Sequence, residues 1–299
     1  MKTGTHVYAM LFLLPALAAL SSCLSQQEPF IVVLDDAYSL RLLATNEDGF
    51  AAPDGLLLLP GGEIVLADEV GSAVSIWKDG MVTRSLCNST SGIISPEDLV
   101  RDANDDIYFT DDSAGGLWRI DAAGKLDLVA GPEDGLLSTE GIASAPDGTI
   151  LVGDGKQHKI FRVTRRGEVT VFAGEEYHIE KAEAMAFDEK GNLFIADDES
   201  DVVYEISSDG ILRHVIDGDD GLQAPESMCY RNGVIYLTDD AAGEVLGYDL
   251  AAGKLHIIAV FHGVLHRVQG ITVDEQGNIF VTVHDWPPKE SYIFVLERK

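Results

Sequence analysis

Cysteine is scarce in this chain: 299 residues carry only Cys23, Cys87 and Cys229. That excludes a disulfide-stapled scaffold, and a chain this long does not need one. Basic residues are also few, with 21 Lys+Arg against 50 Asp+Glu and a formal charge of −29. Such a balance leaves no surface able to neutralise phosphates, which excludes direct nucleic-acid binding. It favours cations or cationic ligands as partners. The chain is nevertheless not an acidic disordered tail, because 46% of it is hydrophobic and such tails lack the apolar content for a core. Beyond residue 20 no stretch is long and apolar enough to span a bilayer. No G-x-S-x-G, phosphate-loop or zinc-type His/Cys spacing occurs.

What is present begins with an address. Lys2 precedes an almost wholly apolar run from Val7 to Leu20, the length of a signal-peptide core rather than of a membrane span. Leu20-Ser21-Ser22-Cys23 follows directly and resembles the lipobox of bacterial lipoproteins. The resemblance implies a signal peptide over 1–22, a lipidated Cys23 and a short linker over 23–30. The mature protein is then expected outside the cytoplasm, held to a bacterial membrane through its lipid and facing the periplasm or cell surface. Cys87 and Cys229 lie in apolar runs and are expected as small buried residues.

The rest is one unit repeated. APDGLLLL, SPEDLVRD, STEGIASA, KAEAMAFD, APESMCYR and RVQGITVD align, with Pro53, Pro96, Thr139, Ala182, Pro225 and Val268 spaced 43 residues apart. Within a unit, short runs such as IYFTD, LWRID and LDLVA alternate with Gly, Asp and Asn turns. Four short strands per unit of that length predict a β-propeller blade. The fold is expected to be all-β: a six-bladed propeller of four-stranded antiparallel blades over 31–299. Residues 31–44 read as strands of an incomplete unit, and SYIFVLER near the C-terminus as another. An N-terminal strand should therefore close the last blade and remove the exposed edges. Both termini offer a candidate for that blade's third strand. Trp77 and Trp118 are expected to pack between blades, and Trp286 to pack in the core or a loop, with a rim contact as the alternative.

One position in the unit is acidic. Asp54, Glu97, Glu140, Glu183, Glu226 and Gln269 occupy it in turn. The first strand of a blade is innermost, so these six side chains should converge at one mouth of the channel. Like charges roughly 8 Å apart at an effective dielectric near 20 repel by about 2 kcal/mol per pair. Several such pairs raise pKa values or demand a cation. An oxygen-only donor set favours a hard ion, Ca²⁺ before Mg²⁺ in a wide ring. A second acid, Asp68, Asp111, Asp154, Asp197 and Asp239, recurs at the end of the second strand. It is expected to bind backbone N–H groups in the following turn. Histidines 158, 178, 262, 266 and 284 fall in loops or strand ends of the same face. His266, His284 and Gln269 are the rim candidates, and a His beside a metal-activated water can act as general acid or base.

Units such as PEDLVRDANDDIYFTDD and TEGIASAPDGTILVGDG, with Pro225-Glu226-Ser227-Met228-Cys229, resemble the gluconolactonase and senescence-marker-protein (SMP-30) family of calcium-dependent propeller hydrolases. The blades also resemble NHL repeats. The PESMC segment looks like that family's P-D-G-M-C stretch, whose Asp binds metal and is the proposed general base. The resemblance therefore implies Glu226 as base and metal ligand, with Asp54, Glu140 and Glu183 as further ligands. Glu97 adds another acid. The family has Asn where Glu140 and Glu183 stand, and an Arg where Ser138 stands. Extra negative charge should strengthen cation binding, weaken Lewis acidity and repel anionic sugar substrates. Two functions follow as expectations. One is a Ca²⁺-dependent hydrolase of lactones or esters acting on a small molecule. The other is a non-catalytic exported propeller that binds a cationic ligand or a protein.

Overall fold

A computed structural model describes residues 31–263, 267–285 and 290–299. The expected leader, Cys23 and the linker to residue 30 lie outside the described residues, as do His266 and Trp286.

Six antiparallel sheets form the molecule, and the expected six-bladed all-β propeller is what the chain builds. Blade 1 runs through Pro53–Leu58, Ile64–Asp68, Ala73–Lys78 and Met81–Asn88. Blades 2, 3 and 4 repeat that order from Pro96 to Ala130, Thr139 to Ala173 and Ala182 to Ile216. Blade 5 spans Pro225 to Phe261. The last blade joins both ends of the chain: Arg267–Val273, Ile279–His284 and Ser291–Arg298 are completed by Tyr38–Thr45 as the outer strand. The C-terminus thus supplies the third strand. Ile31–Val33 does not enter this blade, contrary to the reading of 31–44 as part of one unit. It pairs with Lys254–Phe261 as a fifth strand on blade 5. The N-terminal segment therefore bridges two blades, a stronger closure than one strand in one sheet.

Apolar clusters lie between neighbouring blades. Val65, Val74 and Cys87 of blade 1 meet Leu99, Phe109 and Trp118 of blade 2. Trp77 packs among Leu56 and Ile64 of blade 1 and Ala44 and Ile293 of the last blade. Both tryptophans sit between blades as their patterning predicts. Cys87 and Cys229 are free thiols in such packing, and burial pushes each up to about 12, which keeps them unreactive.

The strand-end aspartates do the expected work. Asp111 is fully buried and accepts from the N–H groups of Ile94 and Ser95 at 2.9 Å and of Ala114 at 3.3 Å. Asp68, Asp154, Asp197 and Asp239 accept from the matching positions of their blades. Each locks the loop entering a first strand to the end of the second, and so fixes where the ring acid begins. A one-turn 3-10 helix in that loop closes on a left-handed residue, Gly49, Gly92, Gly135 and Gly221 in four blades and His178 in another. His178 is thus a cap rather than a site residue.

Candidate cation site at one mouth of the channel

Each ring residue sits at an irregularity in its first strand: the register shifts between Pro53 and Gly55, Pro96 and Leu99, and at the equivalent point of the other four blades. A bulge re-aims a side chain, here toward the channel. It also sends a backbone carbonyl sideways. Thr110 donates to Glu140 O at 2.5 Å, Thr238 to Gln269 O at 2.6 Å and Thr282 to Asp54 O at 3.3 Å. In three blades the residue after the ring acid or amide is a glycine, because the next blade's backbone crosses it. A Cβ on Gly141 would stand 2.6 Å from Ala182 O and 2.8 Å from Glu183 O, and one on Gly270 would overlap Asp54 O.

The six ring residues therefore meet. Asp54, Glu97, Glu140, Glu183, Glu226 and Gln269 all line one cavity of about 200 Å³, with Glu69, Asp112, Lys181, Arg267 and His284. Below it the channel narrows to about 20 Å³ between the same ring, Gly55, Asp98, Ser227 and Gly270. That is room for about one water-sized particle.

Two features were not anticipated. The first is a second acidic tier. Glu69, Asp112, Asp198 and Asp240 directly follow the strand-end aspartates, and they face the ring. The doublets DE, DD, DD and DD were the available signal. Ser95 donates to Glu69 at 3.1 Å and Ser138 donates to Asp112. Ser138 thus serves the upper tier where the resembled family has an Arg. The second feature is a set of built-in cations. Lys181 Nζ lies 2.9 Å from Glu183, 3.7 Å from Glu140 and 3.5 Å from Asp198. Arg267 Nε lies 2.9 Å from Asp240, which also accepts from Gln269 Nε2 at 3.0 Å. Lys181 and Arg267 stand two residues before a ring position, as Ser95 and Ser138 do. That shared offset was the signal for them.

His284 replaces the strand-end aspartate in the last blade. It is 3% exposed, and its Nε2 lies 3.6 Å from Asp54 Oδ1. Burial favours its neutral form, but the Asp54 carboxylate outweighs this and raises its pKa. His158 sits instead on the exposed rim beside Glu180.

Charge in the site is uneven. The cations engage Glu140, Glu183, Asp198, Asp240 and Asp54. Glu97 and Glu226 are left in the cavity, and both are held well above the ordinary carboxylate range. Burial is the main cause for each, followed by Asp54 and Glu69 for Glu97 and by Glu183 and Asp54 for Glu226. Burial and Glu183 push Glu140 up to about 9 against the pull of Lys181. Burial and the neighbouring Asp54 also raise Glu69. Buried groups that repel one another in this way make the cavity a trap for positive charge.

The donor set fits a hard divalent cation. Carboxylate oxygens of Asp54, Glu69 and Glu97 all lie within 4.8 Å of one another. Asp54 Oδ1, Glu140 Oε2 and Asp198 Oδ1 are buried without a hydrogen bond. Oxygen donors of this kind, with no thiol among them, suit Ca²⁺. Lys181 splits the expected ligand set of Asp54, Glu97, Glu140, Glu183 and Glu226. It claims the side of Glu140 and Glu183, and leaves Glu69 and Glu97, with Asp54 beside His284, on the other.

Fold and site together define a six-bladed propeller with an acid-lined channel mouth. No family model and no curated protein matches the sequence. Solved structures do match in shape. A gluconolactonase from Xanthomonas campestris is 19% identical, with a TM-score of 0.68 over 88% of this chain and 90% of that one. Virginiamycin B lyase from Staphylococcus aureus is 14% identical, with a TM-score of 0.61 over 85% and 88%. The PQQ-bound aldose sugar dehydrogenase of Streptomyces coelicolor is 16% identical, with a TM-score of 0.61 over 88% and 98%. At these identities the likeness is one of fold.

Proposed function

We propose that the acid mouth is a cation-dependent hydrolytic site for uncharged lactones or esters. The observation that carries this is the trio Asp54, Glu69 and Glu97, clear of Lys181 and facing a raised Glu226 across one cavity. A general base works best with a pKa near the operating pH, and burial moves Glu226 in that direction. Asp54, Glu69 and Glu97 would hold the ion, with Ca²⁺ favoured. A bound divalent ion supplies Lewis acidity toward a carbonyl oxygen.

The chain's own residues do the rest. Glu226 takes a proton from water as its oxygen bonds to the acyl carbon. The acyl–oxygen bond then breaks, and the same proton passes to the leaving oxygen. His284 holds Asp54 in place, while Lys181 anchors Glu140 and Glu183. The surrounding charge selects against anionic substrates and favours departure of the carboxylate product. The gluconolactonase of like fold makes lactones the first substrate class to assay.

The test is turnover of a panel of neutral γ- and δ-lactones and aryl esters by metal-stripped and Ca²⁺-reloaded protein. Activity that needs the ion and disappears in Glu226→Gln supports the proposal. Activity unchanged by both treatments sinks it. A second reading rests on the same Glu97 and Glu226: the cavity holds an organic ammonium and performs no chemistry. Calorimetric binding of a small amine, with no turnover on the panel, would favour that reading. Export through the leader and lipidation at Cys23 are part of the proposal. Radiolabelled palmitate incorporated by the full chain, and lost in Cys23→Ala, is the expected result.

A further inference from the structure

The opposite end of the channel carries a cavity of different chemistry. First strands begin at the acid ring, so their C-terminal ends mark the other mouth. There, Leu57 and Leu58 of blade 1, Arg101 of blade 2, Arg231 of blade 5 and Val273 of the last blade line one cavity of about 520 Å³. Leu43, Ile64, Trp77 and Phe280 extend its wall outward between the last blade and blade 1. Blades 2 and 5 are three apart in a ring of six, so the two arginines reach the cavity from opposite sides of the channel.

Four observations point to an anion with an apolar body. The size falls within the range of small-molecule pockets. Arg231 Nε is buried with no hydrogen-bond partner, and a buried donor left unpaired is costly. Trp77 Nε1, on the same wall, is in the same condition. Arg101 is held only weakly from outside, at 3.4 Å from the exposed Asp105. Of the acids nearby, Asp274 is committed to its own turn, accepting from Gln276, from Asn278 N and from Asn278 Nδ2. Glu275 stays on the exposed rim. Two guanidinium groups beside a leucine and aromatic wall, in a chain of −29, form a local reversal of charge.

We infer that this second mouth binds a small organic anion with an aliphatic body, of the size and chemistry of a medium-chain carboxylate. Arg101 and Arg231 take the carboxylate, and Leu43, Leu57, Leu58 and Phe280 take the chain. The site is independent of the hydrolytic reading, since it shares no residue with the acid mouth.

Calorimetric titration of the whole protein with decanoate tests it, alongside decyltrimethylammonium and decanol. Decanoate should bind at least tenfold more tightly than either analogue. Arg231→Met and Arg101→Met should each weaken it about tenfold or more, and Glu226→Gln should leave it within twofold. Circular dichroism checks that each variant folds. Should Arg231→Met fail that check, Arg101, whose side chain is 33% exposed, carries the test. Absence of decanoate binding would overturn the inference. So would equal affinity for the cationic analogue, or affinity that ignores the arginine variants and follows Glu226→Gln.

Discussion

The two mouths of the channel are built from the same six strands and share almost no chemistry. At the strand starts, five of six positions are acidic and the sixth is Gln269. Four residues further on, at the strand ends, the matching positions hold Leu58, Arg101, Ser144, Phe187, Tyr230 and Val273. The backbone geometry is equivalent at both ends, so the difference lies in the side chains. A residue type recurs in every blade where all six must perform one joint task, as around a shared cation. Where each blade meets only its neighbours, the positions diverge. The acid mouth is a collective site, and the opposite mouth is a site made by particular blades.

The largest expected effect is confined to one end. Glu226→Gln should lower cation-dependent turnover by about 10²–10⁴-fold, the usual worth of a general base, while decanoate binding at the far mouth persists. Loss of both would mean that the ends are not separate. Lys181→Met comes next. It leaves Glu140, Glu183 and Asp198 without their ammonium, and removing one partner of a buried ion pair costs about 3–5 kcal/mol. Chemical denaturation of metal-free protein should register that loss. Added Ca²⁺ should restore much of it, because the vacated carboxylates then accept an ion. A variant as stable as the parent would show that Lys181 is incidental to the ring.

Asp111→Asn should cost less, about 1–3 kcal/mol, because the amide oxygen still accepts from Ser95 and Ala114 and only the Ile94 N–H group is orphaned. It should do so with or without Ca²⁺, since Asp111 serves the scaffold and not the cation. Ion-dependent rescue of this variant would erase the distinction between the two tiers of acid. The smallest effect is a slope. Folded-state pKa values of Glu97, Glu140 and Glu226 lie above the unfolded value of roughly 4.3. The folded protein therefore binds more protons, and stability falls as pH rises from there through about 9, where Glu140 titrates. The melting temperature of metal-free protein should decline over that window. The decline should be shallower in Glu97→Gln/Glu226→Gln, and reduced by Ca²⁺.

Much of this was legible in the sequence because a repeat multiplies its own signal. Spacings of 43 residues gave the blades, and the acid recurring within them gave the ring. The strand-end aspartates read as structural from sequence alone, since short acids before a turn have backbone donors within reach. Closure was legible in outline only. Whether Ile31–Val33 joined the last blade depended on which sheet edge lay nearest, and no local pattern encodes that. Lys181 and the second tier were hidden for a related reason. Each lies one or two residues from a recurring position and looks like an ordinary surface charge. Only the bulge at the ring and the packing of neighbouring blades turn it inward. The second cavity had no signature at all, because Arg101 and Arg231 come together across the channel from distant units.

The central claim is that the acid mouth is organised around a cation on the side of Asp54, Glu69 and Glu97. Calorimetric titration of metal-stripped protein with Ca²⁺ tests it most directly. A single saturable site is expected, abolished in Glu97→Gln and retained in Lys181→Met. A flat titration, or binding indifferent to Glu97, would contradict it.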